Sequence, residues 1–176
     1  MKKSKLCGAF VLAALILTFG PVGASAETLR EDVQRAIDLF EEKDSGMEHL
    51  FATSYAYAVY PKVGKGGIGV GGARGHGLVY KGGELVGETS LTQFTVGLQL
   101  GGQVYQEVIF FEDQRVFDSF TKGNYEFSAQ VSAIAAAAGA SADAAYKHGV
   151  LVFTLGKAGL MYEASIGGQK LGYRGY

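Results

Sequence analysis

Residues 64–77, GKGGIGVGGARGHG, decide the fold class of this 176-residue chain. Side chains alternate faces along a strand. The odd positions Gly67, Gly69, Gly71, Ala73, Gly75 and Gly77 therefore leave one face almost bare, while Ile68, Val70, Arg74, His76 and Leu78 project from the other. A helix is excluded, because each glycine costs it roughly 1 kcal/mol relative to alanine. Glycine within a strand marks a bend or a close approach. The bare face is expected to receive the N-terminal helices. An acyl chain lying against the backbone is the alternative occupant.

Outward from this stretch the chain divides in two. Few glycines precede it and many follow, among 27 in all. Leu29, Val33, Ile37 and Phe40 recur on one helical face after Thr28-Leu29-Arg30-Glu31, which has the form of a capping box. Ser45-Gly46-Met47-Glu48 opens a second, short helix to about Ser54. Ala56–Val63 is β-favouring and ends at about Pro61.

Further on, Gly82-Gly83 is a hairpin signal and Gly101-Gly102 a turn. Phe94, Val96, Leu98 and Leu100 alternate as a buried strand face, and Val108–Phe111 reads as a central strand. Val116, Phe117 and Phe120 fall at helical spacing, and Gly123 stops that helix. Phe127–Ala145 is alanine-rich, which favours helix, but also alternates, and the residues alone leave both open. Val150–Leu155, Gly159–Ile166 and Gln169–Tyr173 complete the strands. The fold class is α+β: N-terminal helices and one inserted short helix packed on a strongly curved, mostly antiparallel, glycine-rich sheet.

The first 26 residues read as a cleaved Sec leader. Lys2, Lys3 and Lys5 precede the apolar run Leu6–Phe19, and Ala24-Ser25-Ala26 is an A-x-A cleavage site. Cys7, the one cysteine, lies at the start of the apolar run rather than after it, where it cannot direct lipidation. Residues 27–176 form a single domain, with helices over 28–54 and a β-rich body over 56–176. Without cysteine this domain depends on its core, and ~150 residues can bury about 70% of their unfolded surface. Losing three lysines takes the net charge from −1 to −4, so no nucleic-acid footprint is expected. The mature protein is expected to be soluble, periplasmic or secreted.

Catalytic and cofactor motifs are few. Gly64-Lys65-Gly66-Gly67-Ile68-Gly69 matches G-x-G-x-x-G, but no helix can start in the glycines that follow, so a nucleotide reading fails. His49, His76 and His148 share no metal-ligand spacing. There is no G-x-S-x-G elbow. Glu107, Glu112 and Asp113 flank an apolar strand and read as edge and turn charges. The expectation is a protein that is not an enzyme and holds no cofactor and no metal.

Four blocks give the chain a wider likeness: AYAVYPKVGKGGIGVGGARGHGLVY (56–80), TVGLQLGGQVYQEVIFF (95–111), FDSFTKGNYEFSA (117–129) and GVLVFTLGKAGLMYEASIGGQKLGY (149–173). In order and content they resemble the SYLF lipid-binding domain, over nearly all of 50–173, in its exported, single-domain bacterial form. The resemblance implies binding rather than catalysis. Members of the family have an extended strand where Phe127–Ala145 lies, which favours strand for that stretch. Animal and fungal members associate with phosphoinositide membranes through a basic, amphipathic N-terminal segment, and some members associate with actin. This chain departs there: between Thr28 and Lys43, three basic residues face five acidic ones. Lipid binding carries over as a class, without the lipid or its contact residues.

A basic cluster frames the glycine-rich stretch: Lys62, Lys65, Arg74, His76 and Lys81. Glycine-rich backbone amides with Arg or Lys beside them suit an anion. The functional expectation is an envelope protein that binds a phospholipid or anionic membrane surface. In it a curved sheet supplies an apolar groove and the cluster meets the head group. The alternative is a protein-interaction or structural envelope module that contacts another envelope protein without binding lipid.

Overall fold

The computed structural model describes residues 22–68, 70–96, 102–123, 125–127, 132–156, 164–166 and 168–176. Most of the expected leader, the turn at Gly101, Leu98 and Leu100, and most of Gly159–Ile166 lie outside these residues. Helices α1 (Val22–Lys43) and α2 (Gly46–Thr53) lead into strands β1 (Ala56–Ile68), β2 (Val70–Lys81), β3 (Glu84–Val96) and β4 (Gly102–Phe111). Then come α3 (Gln114–Thr121), β5 (Tyr125–Glu126), β6 (Ser132–Ala135), β7 (Val150–Gly156), β8 (Ala164–Ser165) and β9 (Gln169–Gly175).

The strands form one sheet in the order β5-β9-β3-β2-β1-β4-β7-β6-β8. All pairs are antiparallel except β6 with β7. Three strands separate β9 from β4 in this order. Even so, the Gln169 Nε2 on β9 lies 3.2 Å from the Glu107 Oε2 and 3.5 Å from the Tyr105 hydroxyl on β4. A sheet whose distant strands touch through their side chains is strongly curled, and the α+β expectation holds.

Alternation sorts the core onto two faces. Ala56, Ala58, Tyr60 and Val63 of β1 point into the concave side with Tyr105, Ile109, Phe111, Val152 and Leu171. Helix α3 closes one end of that side. Its Phe120 ring lies 4.8 Å from Phe111 and 5.5 Å from Tyr173. Tyr57, Val59, Leu78, Val108, Phe110, Leu151 and Phe153 point outward, under Val33, Ala36, Ile37 and Phe40 of α1 and Met47 of α2. The N-terminal helices thus cover one end of the convex face.

The bare glycine face therefore lies on the opposite side from the one expected. Gly75, Gly77 and Ala73 point inward with the concave core, and the helices pack on the face that carries Leu78. A Cβ at Gly77 would run into the Val59 carbonyl and come within 3.0 Å of the Tyr60 ring. The glycines admit the Tyr60 ring, which crosses β2 inside the curl. The expected apolar groove is thus occupied by the protein's own side chains.

Other boundaries moved for local reasons. Thr28–Glu31 lies inside α1 rather than at its start. Pro61 sits in a β-bulge, which absorbs its missing N–H, so β1 continues to Ile68. The glycine-rich stretch is consequently two strands rather than one. Of Phe127–Ala145, Ser132–Ala135 is strand and 136–145 is turn and coil, where alanine side chains bury too little to hold a ladder.

Candidate functional site

Below the helices the convex face of β1, β2, β3 and β9 has no element packed over it among the described residues. The bulge at Pro61 sets its register. With Tyr60 and Val63 both inward, Lys62 and Gly64 point outward. Antiparallel pairing then lines up three rows. Lys62, His76, Ser90 and Gly172 form the first. Gly64, Arg74, Thr92 and Lys170 form the second, and Gly66, Gly72 and Phe94 the third. Successive rows are two residues apart, about 7 Å.

Two adjoining depressions follow these rows. One of 330 Å³ lies between His76, Glu88, Ser90 and Arg174. The other, of 440 Å³, has Gly64, Gly66 and Gly72 as its floor and Arg74, Thr92 and Phe94 as its walls. Its floor is bare because glycines occupy the outward positions of β1 and β2 here. Among the described ion pairs, Arg174 meets Glu88 and Lys170 meets Glu126 at 3.6 Å, while Lys62 and Arg74 enter none. Both of these are exposed.

The five basic residues expected to act together are divided by strand parity. Lys62, Arg74 and His76 share the convex face. Lys65 pairs with the inward Ala73 and so lies on the concave side. Lys81 is about 17 Å beyond His76 along β2. There its ammonium stands 4.8 Å from the Tyr55 ring centroid and 5.9 Å from that of Phe117.

Three further residues of this face escaped the sequence reading. Lys170 and Arg174 are far away in sequence, and only the β3–β9 register brings them in. Phe94 was expected in a buried face. Instead it is 79% exposed, because Leu91 and Gln93 take the inward positions of β3. The alternation was a usable signal, read with the wrong parity.

Glu107 is likewise no edge charge. It is fully buried on the concave side, between Tyr60 on β1 and Thr154 on β7. Burial pushes its carboxyl up to about 8, against the hydrogen bond donated by Gln169. Nearby, Thr89 donates to the Gly172 carbonyl at 2.8 Å, so the Tyr60 hydroxyl donates to Thr89 at 2.7 Å. Asp113, the neighbouring carboxylate of the same expectation, caps α3 by accepting from the Val116 amide at 2.9 Å. The described residues include no cluster of three or more His, Cys, Asp or Glu suited to a metal ion.

Comparison with known proteins adds an independent line. Residues 92–175 match the family model Ysc84, described as a Las17-binding protein actin regulator. Beta cell expansion factor A of Aeromonas veronii is 33% identical over 137 residues, 76% of this chain and 51% of that protein. The chain thus spans about half the length of this curated relative. Three of the four blocks quoted above fall largely or wholly in the matched region. Lys62, Arg74 and His76 precede it, whereas Phe94, Lys170 and Arg174 lie inside.

Proposed function

This chain belongs to the Ysc84, or SYLF, family, and on that premise we propose that it binds anionic membrane surfaces of the cell envelope without catalysing a reaction. A Sec leader cut before Glu27 would deliver it there. The observation that carries the reading is the half of the convex face that no described element covers, where Lys62, Arg74 and His76 stand in adjoining rows. The acidic α1 covers the other end of that face and leaves this one basic. A lysine or arginine near an anionic surface contributes about 1 kcal/mol, screened by salt.

The test is co-sedimentation of residues 27–176 with phosphatidylcholine and phosphatidylglycerol vesicles at low and high salt. Binding to phosphatidylglycerol alone, lost at high salt, is the expected result. Lys62→Gln with Arg74→Gln should weaken it roughly thirtyfold, two charges at about 1 kcal/mol each. Lys65→Gln and Lys81→Gln, which lie off this face, should leave it within a factor of about two. No binding to either vesicle would end the lipid reading. It would favour the protein-interaction alternative, towards which the family's description as Las17-binding points.

A further inference from the structure

We infer that Phe94 is the anchor of this surface: its ring enters the bilayer interface while Arg74 and Lys170, one row away, meet the phosphates. The inference rests on the reading above and assigns the docking geometry. Three observations carry it. A phenylalanine 79% exposed on a strand face leaves a large apolar area in water that burial elsewhere would recover. It stands beside a floor formed by Gly64, Gly66 and Gly72, of which Gly66 and Gly72 share its row. The neighbouring row carries Arg74, which enters none of the described ion pairs, and Lys170, whose exposed pair with Glu126 a phosphate can replace.

At Gly64 the flatness is not forced by packing, since a Cβ there would meet no atom within 4 Å, whereas one on Gly72 would stand 2.9 Å from the Gln93 carbonyl. Bare floor, one projecting ring and a basic row suit a broad anionic surface that takes the ring into its apolar layer. Interfacial binding adds buried apolar area to attraction for anionic lipid, and this face offers both. A protein partner would need relief of its own to fill the depression. The laterally uniform, negatively charged bilayer needs none.

The chain contains no tryptophan, so one introduced residue reports alone. Phe94→Trp and, as a control, Leu39→Trp on α1 would be mixed with phosphatidylglycerol vesicles, with pelleting and emission read on the same samples. The expected result is a blue shift and quenching by shallow brominated lipid for Phe94→Trp, with Leu39→Trp unchanged. Phe94→Ala should weaken binding roughly tenfold or more, the lower end of what burying a phenylalanine contributes. Gly64→Glu, with space around it, should weaken binding while far-ultraviolet circular dichroism stays unchanged.

Protein that pellets while the Phe94→Trp emission stays put, or shifts no more than that of Leu39→Trp, would overturn this geometry and leave the membrane reading standing. Protein that does not pellet at all would overturn both.

Discussion

Glu107 shows how far one residue can depart from its sequence appearance. In the unfolded chain its carboxyl titrates near 4.5, and in the fold, burial lifts it to about 8. Between those values the unfolded state loses a proton that the native state keeps. Stability therefore falls as pH rises through this window, by up to about 1.4 kcal/mol per pH unit, and levels off above it. Glu107→Gln keeps an oxygen for the Gln169 Nε2 to bond and removes the titration. Urea midpoints of the natural chain should fall between pH 5 and 8, and those of Glu107→Gln should fall much less. Equal slopes in the two proteins would mean the carboxyl ionises freely in the fold. Sequence position gave no warning, since a glutamate just before Val108–Phe111 reads as a strand-end charge. Only the bulge at Pro61 and the curl of the sheet bring Tyr60, Thr154 and Gln169 around it.

At the scale of elements, the turn between α1 and α2 is set by Asp44 rather than by the Ser45 cap the sequence suggested. Ser45 makes no side-chain capping bond. Asp44 instead accepts from the Gly46 amide at 3.1 Å and, across the molecule, from the Ser141 amide at 2.6 Å. Burial alone would raise its carboxyl. The bonds from Ser141, Gly46 and Gly139 outweigh that and hold it below the usual carboxylate value. Its contribution is thus present at neutral pH and lost as pH falls through the acid range. Asp44→Ala should cost about 1 kcal/mol, the lower end of the penalty for unpairing amides, because the Gly46 and Ser141 amides are only partly buried. Hydrogen exchange should show the loss concentrated at Ser141 and the start of α2, and uniform loss across the sheet would contradict the latch. Elements with strong local chemistry were legible: Gly82-Gly83 turns at φ +58° and +83°, and α3 lies where the Val116–Phe120 spacing put it. Those that depend on distant partners were not. The turn at Ser141 is tied to Asp44, far away in sequence, and Thr28–Glu31 fits a cap but lies within a longer helix.

For the whole molecule, the curl divides the labour between its two sides. The concave side is a core: Tyr60, Tyr105, Ile109, Phe111 and Leu171 fill it, and α3 closes one end. Among the described residues, the convex side is half covered by acidic helices and half bare and basic. The sequence already held the alternation behind this division, but not which face would be inside. The sign of the face depended on a hairpin within the glycine-rich stretch and on a bulge two residues from it. The division fixes how lipid can be met. Among the described residues the interior is filled, and making room there for an acyl chain would displace rings whose centroids lie 4.8 to 6.0 Å apart around Phe120. Membrane contact should therefore be made on the surface, without extraction of lipid. Protein incubated with phosphatidylglycerol vesicles, then separated from them by gel filtration at high salt, should carry no phospholipid by mass spectrometry. One phospholipid per protein in that fraction would mean that the interior opens. The concave core, rather than the Phe94 face, would then be the place where this fold holds its ligand.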